Sequence, residues 1–204
     1  YVAQAFDEGA VAALVGAEFN ADDIAEAAVL LRVDNVLAAL EALARAARQR
    51  SQAHIIAITG SVGKTGTKAS LAAALMKSGS VHAAERSFNN HIGVPLTLAR
   101  LPADAEFGVF ELGMNHAGEI KALVDMVRPH CAIITTIAAA HIENFDSMAA
   151  LAAAKAEILT GIEKHGTAIL PFDNDYFDML AAKTKDHEIN MLSFSAEGRA
   201  DADS

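Results

Sequence analysis

The sequence has one cysteine, no cluster of basic residues and no apolar run long enough to cross a membrane. A single cysteine cannot form a disulfide within the chain, and Cys131 lies in an apolar stretch. We therefore expect a buried free thiol in a reducing compartment. A bilayer span needs about 20 apolar residues, and a secretory signal needs a basic region before an apolar one. With neither present, we expect a cytoplasmic protein without a membrane span.

Positive charge is also scarce, since 16 Lys and Arg stand against 26 Asp and Glu, for a formal charge of -10 with His neutral. Proteins that bind nucleic acid through the phosphates present a basic surface, so we expect no nucleic-acid partner. The chain does have enough apolar residues for a sizeable core, at 52% hydrophobic against 21% charged. Its 204 residues begin at Tyr1 rather than at Met. We expect one domain and part of another, cut from a longer protein.

The first fifty residues predict a small α/β unit. A short helical segment precedes two apolar runs at 11–15 and 29–33, and apolar residues then recur at helical spacing over 35–50. A new pattern begins immediately afterwards. The predicted units are therefore residues 1–50 and residues 51–204.

The second unit alternates short β-branched runs with helical patterns. The predicted strands are 54–59, 81–83, 107–111, 131–136, 167–170 and 189–194, and the predicted helices are 65–78, 94–100, 117–127, 147–164 and 175–184. Apolar strands without polar alternation favour a doubly wound, mostly parallel sheet covered by helices. Ligands of such sheets bind beyond the carboxyl ends of the strands. The loops 60–65, 84–92, 111–116 and 137–146 should therefore face one site.

The first of these loops has the composition of a phosphate-binding loop. It reads Gly60-Ser61-Val62-Gly63-Lys64-Thr65 between a strand and a helix. Glycines let backbone N–H groups approach phosphates, the Lys reaches the outer phosphates, and the hydroxyl of Thr65 is suited to Mg²⁺. The early glycine of the general pattern is replaced by Ile58. The alternative is an ordinary helix start with a surface lysine.

Two candidate metal ligands follow later strands. Glu111 ends the strand 107–111, which places its carboxylate at the same sheet edge as the phosphate loop. A hard cation that bridges phosphates needs such an oxygen ligand. His141 follows the next strand through an Ala-rich turn. The alternatives are a solvated strand end or a lysine partner for Glu111, and an indirect hydrogen-bonding role for His141.

Lys155 and the loop Asn89-Asn90-His91 complete the candidates. Helical periodicity around Lys155 favours a solvated charge, with Glu157 as another. The amide-rich loop enters a helix with Pro95 in its first turn, which suits a substrate rich in hydroxyls and carboxylates. Turn formation by the Asn side chains is the alternative.

Several segments together resemble the Mur ligases. The phosphate loop fits their pattern TGxxGK[ST], and four further segments follow in the family's order: Asn89–Leu98, Glu111–Ile120, Ala140–Phe145 and Ala154–Ile158. The resemblance covers nearly the whole chain and is strongest to the members that add D-Ala-D-Ala to a UDP-MurNAc-tripeptide. It implies three domains, of which this chain would hold the end of the first, UDP-substrate domain and most of the central, ATP-binding one.

The resemblance also implies roles. ATP would bind residues 60–66, including Gly66, and its adenine would approach Asn174. Two Mg²⁺ ions would bind near Thr65, Glu111 and His141, and Lys155 would be carbamylated. Lys64, Lys155 and His141 would be catalytic, and Asn89, Asn90 and His91 would contact the peptide substrate.

The implied reaction is ATP-dependent amide formation through an acyl phosphate, in the synthesis of peptidoglycan precursors. The fragment itself is expected to be inactive, and the protein to be a monomer. Two alternatives remain. One is another ligase of the same superfamily, either an earlier Mur enzyme or a folylpolyglutamate synthase; the other is a non-catalytic nucleotide-binding module.

Overall fold

The computed structural model describes residues 1–22, 24, 28–84, 86–140 and 142–198. The helices are α1 (Val2–Asp7), α2 (Val36–Arg50), α3 (Lys64–Leu75), α4 (Gly93–Ala99), α5 (Glu119–Val127), α6 (Met148–Ala156) and α7 (Phe177–Asp186). The strands are β1 (Ala12–Gly16), β2 (Val29–Val33), β3 (His54–Thr59), β4 (Val81–Ala83), β5 (Phe107–Glu111), β6 (Cys131–Ile134), β7 (Thr167–Pro171) and β8 (Asn190–Phe194). In the part of the chain that is described, no helix is long and apolar enough to cross a bilayer.

The main sheet has six parallel strands in the order β4-β5-β3-β6-β7-β8. Successive side chains of β3 alternate between two cores, because a strand presents neighbouring residues to opposite faces. Ile55 and Ala57 join the larger core with α4 and α5, whereas Ile56 and Ile58 pack against α3. The predicted doubly wound α/β sheet is confirmed.

The chain order places a switch point at β3. From β3 the chain crosses to β4 and β5 on one side, and only then to β6 on the other. Both neighbours are parallel to β3, so their carboxyl ends share one edge of the sheet. In open α/β sheets this position is where a ligand binds.

Helix α2 joins the small parallel pair β1–β2 to the main sheet. It packs on α4 and α5, and two arginines near its end donate to backbone carbonyls of the second unit. The Nε and Nη2 atoms of Arg48 reach the carbonyls of Val127 and Arg128 at 2.8 Å each, and Arg50 reaches Leu101 at 2.9 Å. The division at residue 50 stays a prediction, and α2 contacts both of the predicted units.

Several predicted elements differ from the observed ones by a few residues at their ends, and one helix differs by more. The helix predicted over 147–164 is α-helical only to Ala156, and a 3₁₀ segment, Glu157–Gly161, follows. Gly161 lies so close to α5 that an added Cβ would be 2.7 Å from the side chain of Val124, so the chain turns where only glycine fits.

Cys131 is a free, partly buried thiol, and burial raises its pKa.

His130 is a pH-sensitive point at the opposite, amino-terminal edge of the sheet. Its Nδ1 accepts a 2.9 Å hydrogen bond from the backbone N–H of Ile55. Burial lowers the pKa of His130, and the charges of Arg48, His54 and Arg128 lower it further against the opposing effect of Glu163. The folded state therefore disfavours the protonated imidazole.

We expect the free energy of unfolding to fall as the pH drops below about 6.5, the usual pKa of histidine, because the unfolded chain then binds a proton that the folded chain resists. His130→Asn keeps an acceptor without titrating and should flatten this slope between pH 7 and 5.5. Urea unfolding at several pH values measures it, with the exposed His187→Asn as control. An unchanged slope in His130→Asn would assign the pH dependence to other groups.

Candidate functional site

The loop between β3 and α3 has the backbone of a phosphate-binding turn. Gly60 and Gly63 have φ angles of 145° and 90°, which side-chain-bearing residues rarely adopt. A Cβ on Gly60 would lie 1.9 Å from the Thr135 hydroxyl, so the loop can pack against the end of β6 only with glycine there. Ile58, in the place of the usual early glycine, is fully buried within β3. The turn is shorter than the general pattern because the strand extends through that position.

Lys64 curls back over this loop. Its Nζ donates a 2.8 Å hydrogen bond to the carbonyl of Gly60. Burial lowers the pKa of Lys64, while the charge of Glu111 opposes that effect. The ammonium thus lies beside the loop, with one backbone acceptor, where a phosphate oxygen could take over the hydrogen bond.

Glu111 connects three of the predicted loops. Its side chain is buried, 3% exposed, at the end of β5. The Thr65 hydroxyl donates to one carboxylate oxygen at 2.9 Å, and the Asn89 amide donates to the other at 2.8 Å. Ser87 lies 3.1 Å from the same Thr65 hydroxyl. The loops 60–65, 84–92 and 111–116 therefore meet at this carboxylate, as the sheet topology predicted.

The Thr65–Glu111 pair offers a hydroxyl and a carboxylate to a cation. Among the residues that the structure describes, no three His, Cys, Asp or Glu side chains cluster as a metal cage. Mg²⁺ is usually held by one or two carboxylates together with substrate phosphates rather than by an all-protein cage. The pair therefore fits Mg²⁺ that arrives with a nucleotide. His141 lies outside the described residues.

Lys155 is almost completely buried, at 2% exposure, near the end of α6. Burial, and then the charge of Lys64, lower its pKa to about 8. Within the described residues its ammonium has no hydrogen-bond or ion-pair partner. The prediction that Lys155 is a solvated charge is wrong. Alanines occupy every side of this helix, so its sequence shows no polar face from which burial could be inferred.

Glu157 is also not a solvated charge. Its two carboxylate oxygens accept the backbone N–H groups of Gly118 at 2.7 Å and Lys121 at 3.0 Å. A carboxylate at a helix N-terminus satisfies unpaired donors and interacts favourably with the helix dipole. Glu157 thus fixes the end of α6 to the start of α5, a contact between residues 39 positions apart that no local pattern reveals.

A cavity of about 710 Å³ lies beside these groups. One side of it is lined by Lys64, Lys155 and the loop Asn89–His91. Helix α2 contributes Glu41 and Arg45 to the wall, and α5 contributes both exposed and buried residues between Glu119 and Met126. The cavity therefore connects the phosphate loop with the first of the predicted units.

The residues of the loop Asn89–His91 have different roles. Asn89 binds Glu111, whereas the Asn90 side chain accepts from the backbone N–H groups of Ile92 and Gly93 at 3.1 and 2.8 Å. Asn90 therefore forms a turn at the start of α4, as the alternative for these amides predicted. His91 is exposed on the cavity wall.

Ser61 and Asn174 fasten the loop after β6. The Ser61 hydroxyl donates to the carbonyl of Ala138 at 2.7 Å, and the Asn174 amide donates to that of Ile137 at 2.9 Å. Asn174 follows β7, so it lies at the same sheet edge as the phosphate loop. Sequence reasoning identified both residues, but their backbone partners were not predictable.

Comparisons with known proteins agree on one family. The profile described as Mur ligase middle domain matches residues 58–204. The UDP-N-acetylmuramoyl-tripeptide--D-alanyl-D-alanine ligase of Rickettsia prowazekii is 38% identical over 203 residues, which cover 99% of this chain and 44% of that protein. The enzyme of the same name from Bacillus subtilis is 35% identical, with coverage of 97% and 45%. The chain thus spans less than half the length of these curated relatives.

Solved structures give the same picture. MurF from Acinetobacter baumannii superposes with a TM-score of 0.82 at 34% identity, over 97% of this chain and 42% of that one. MurF ligase from Thermotoga maritima, solved in complex with ADP, has a TM-score of 0.78 at 25% identity, over 97% and 44%.

Proposed function

This chain belongs to the Mur ligase family, and from that premise we propose that it is part of an ATP-dependent ligase that joins D-Ala-D-Ala to a UDP-MurNAc-tripeptide in the synthesis of peptidoglycan precursors. The relatives described above carry that activity in their names. The observation that carries the proposal is the buried Glu111 carboxylate, held by Thr65 and Asn89 beside a cavity lined by Lys64 and Lys155. A cytoplasmic location and a monomeric state belong to the same proposal.

The chemistry explains why such a site is needed. A carboxylate is a poor acyl donor, so one of its oxygens attacks the γ-phosphorus of ATP and ADP leaves. The amine of D-Ala-D-Ala then attacks the acyl carbon and gives up a proton, and phosphate leaves. Both steps move negative charge between oxygens, so positioning and charge neutralisation supply most of the catalysis.

We assign the phosphate side of the site to the β3–α3 loop. The backbone of residues 60–63 and 66 would surround the phosphates, with Lys64 on the β- and γ-phosphates. Thr65 and Glu111 would hold a first Mg²⁺, whose positive charge would offset the negative charge of the phosphates. Glu111 and His141 would hold a second Mg²⁺. Asn174, at the end of the neighbouring β7, would approach the adenine.

Lys155 is proposed to become a carbamate. The ammonium would first lose one proton, and the neutral amine would then form an N–C bond to CO₂ and release a second proton. Together the two steps convert a cation into an anion. With a pKa of about 8, on the order of one amine in ten is neutral at pH 7, far more than for an exposed lysine. Two points support this assignment. The buried ammonium has no partner among the described residues, whereas Mg²⁺ and Lys64 would stabilise the anion.

The cavity would receive the peptide end of the nucleotide substrate. Asn89 and His91 lie on its wall near Lys155, and Asn90 shapes the turn between them. Glu41 and Arg45 extend the wall onto α2, which suits a substrate whose uridine end binds the first predicted unit. The reacting carboxylate would then enter next to the phosphate loop.

A ligation assay on the longer natural protein tests the proposal. ATP, the UDP-linked tripeptide and D-Ala-D-Ala together should release phosphate and form the pentapeptide product, detected by mass spectrometry. Omission of D-Ala-D-Ala should abolish product. Ligation only with glutamate, or with an earlier amino acid of the peptide, would assign the chain to another branch of the superfamily. Nucleotide binding without phosphate release under all conditions would favour a non-catalytic module.

A further inference from the structure

Lys68 is a second buried lysine of α3, and none of the roles proposed above uses it. It is 4% exposed and lies one helical turn after Lys64. Its Nζ donates to the carbonyl of Ala84 at 2.7 Å and to that of Arg86 at 2.9 Å. Burial of a charge is unfavourable unless hydrogen bonds replace its hydration, so the ammonium and these carbonyls depend on each other.

The two carbonyls lie at the start of the segment that carries the site's amides. We call residues 86–91 the Asn89 loop. After Arg86, this loop reaches the Thr65 hydroxyl through Ser87 and the Glu111 carboxylate through Asn89. The carbonyl of Asn89 also accepts a 2.7 Å hydrogen bond from the backbone N–H of Gly113. The loop is thus held at its start by Lys68 and at Asn89 by Glu111 and Gly113.

The shape of the loop shows why a lysine is needed. The carbonyls of Ala84 and Arg86 follow β4 and have left the sheet, so they lack strand partners. A buried carbonyl without a donor is unfavourable, and an ammonium supplies several donors from one atom. An apolar residue of the same length would fill the space but remove this donor from the Ala84 carbonyl, and it would leave the Arg86 carbonyl with only the backbone N–H of Phe88, at 2.9 Å.

We propose that Lys68 is a positioning residue, whose buried ammonium holds the Asn89 loop against α3 so that Asn89 and Ser87 reach Glu111 and Thr65. Within the proposed function on which it rests, Lys68 acts on the metal side of the site without touching the nucleotide. Lys68→Met should detach the start of the loop while keeping the length of the side chain. Displacement of a catalytic group by about 1 Å can lower a rate about 10²-fold, and we expect a decrease in kcat of about 10- to 100-fold.

Amide hydrogen exchange on the longer natural protein, without nucleotide or metal, tests the positioning directly. In Lys68→Met, the amide of Gly113 should exchange faster, while the amides of β6 keep their protection. Lys77→Met, which removes an exposed lysine just after the same helix, should change neither. Lys68→Arg should restore part of the protection, because it again offers charged donors.

Kinetics on the longer natural protein give the second readout. Lys68→Met should raise the Mg²⁺ concentration for half-maximal rate and lower kcat, with a smaller effect on the KM for ATP. Unchanged Gly113 exchange, or an equal loss of protection in β6, would overturn the positioning role. If the wild-type protein does not ligate, the proposed function fails, while the exchange result still decides the role of Lys68.

Discussion

Lys64→Ala is expected to lower ATP-dependent phosphate release by at least about 10³-fold in the longer natural protein, because one cation on the transferring phosphoryl group can contribute that much. Lys64 lies over the loop with its Nζ 2.8 Å from the carbonyl of Gly60, beside Glu111. Removal of the side chain takes away charge and little packing. The chain should therefore keep its fold and its unfolding midpoint.

Phosphate release and thermal unfolding, measured on the same preparations, check this result. Lys185→Ala removes an exposed lysine of α7 and serves as the matched control, with unchanged activity. Lys64→Arg keeps the charge but not the slender shape, so only partial activity is expected. A fully active Lys64→Ala protein would contradict the assignment of the loop to phosphate binding.

Lys155→Ala is expected to lose activity about 10²- to 10³-fold, the range seen when one preorganised charge-stabilising group is removed. We also expect small carboxylates such as formate or acetate to restore part of the activity, because they can enter the cavity and replace the negative charge of the proposed carbamate. Rescue should saturate with carboxylate concentration. It should be absent in Lys164→Ala, whose lost lysine is exposed and outside the cavity lining.

A spectroscopic measurement separates the carbamate from a purely electrostatic role of the ammonium. Protein equilibrated with ¹³C-bicarbonate should show a carbamate resonance that is missing in Lys155→Ala and that grows as the pH rises toward 8, because only the neutral amine reacts. If Lys155→Ala loses activity but the wild-type protein shows no carbamate resonance and added carboxylate restores nothing, Lys155 acts as a cation.

The sheet and the phosphate loop were predictable because their signals are local. β-branched runs mark β3 and β6, and the spacing of Gly60, Gly63 and Lys64 specifies a turn that has positive φ angles at its two glycines. The position of Glu111 followed from topology alone, since parallel strands end at one edge. These inferences need no knowledge of which side chains touch.

The remaining parts of the site depend on contacts between distant segments. Lys155 and Glu157 lie in a stretch whose alanines give no polar face, so periodicity could not indicate burial. Asn89 is hydrogen-bonded to Glu111, 22 residues later in the chain, and Arg48 to carbonyls about 80 residues later. Such pairs form only when the whole fold has packed. In the sequence, each member looks like an ordinary polar residue.

Helix α5 is attached at both ends. Glu157 binds the backbone N–H groups at its start, and Arg48 binds the carbonyls at its finish. An inserted or deleted residue inside it would turn one end by about 100° relative to the other, so both attachments could not persist. Chains that share this architecture should therefore tolerate length changes in surface loops but keep the nine residues of this helix in register. The length of this helix therefore sets the distance between the α2 side and the Lys155 side of the cavity.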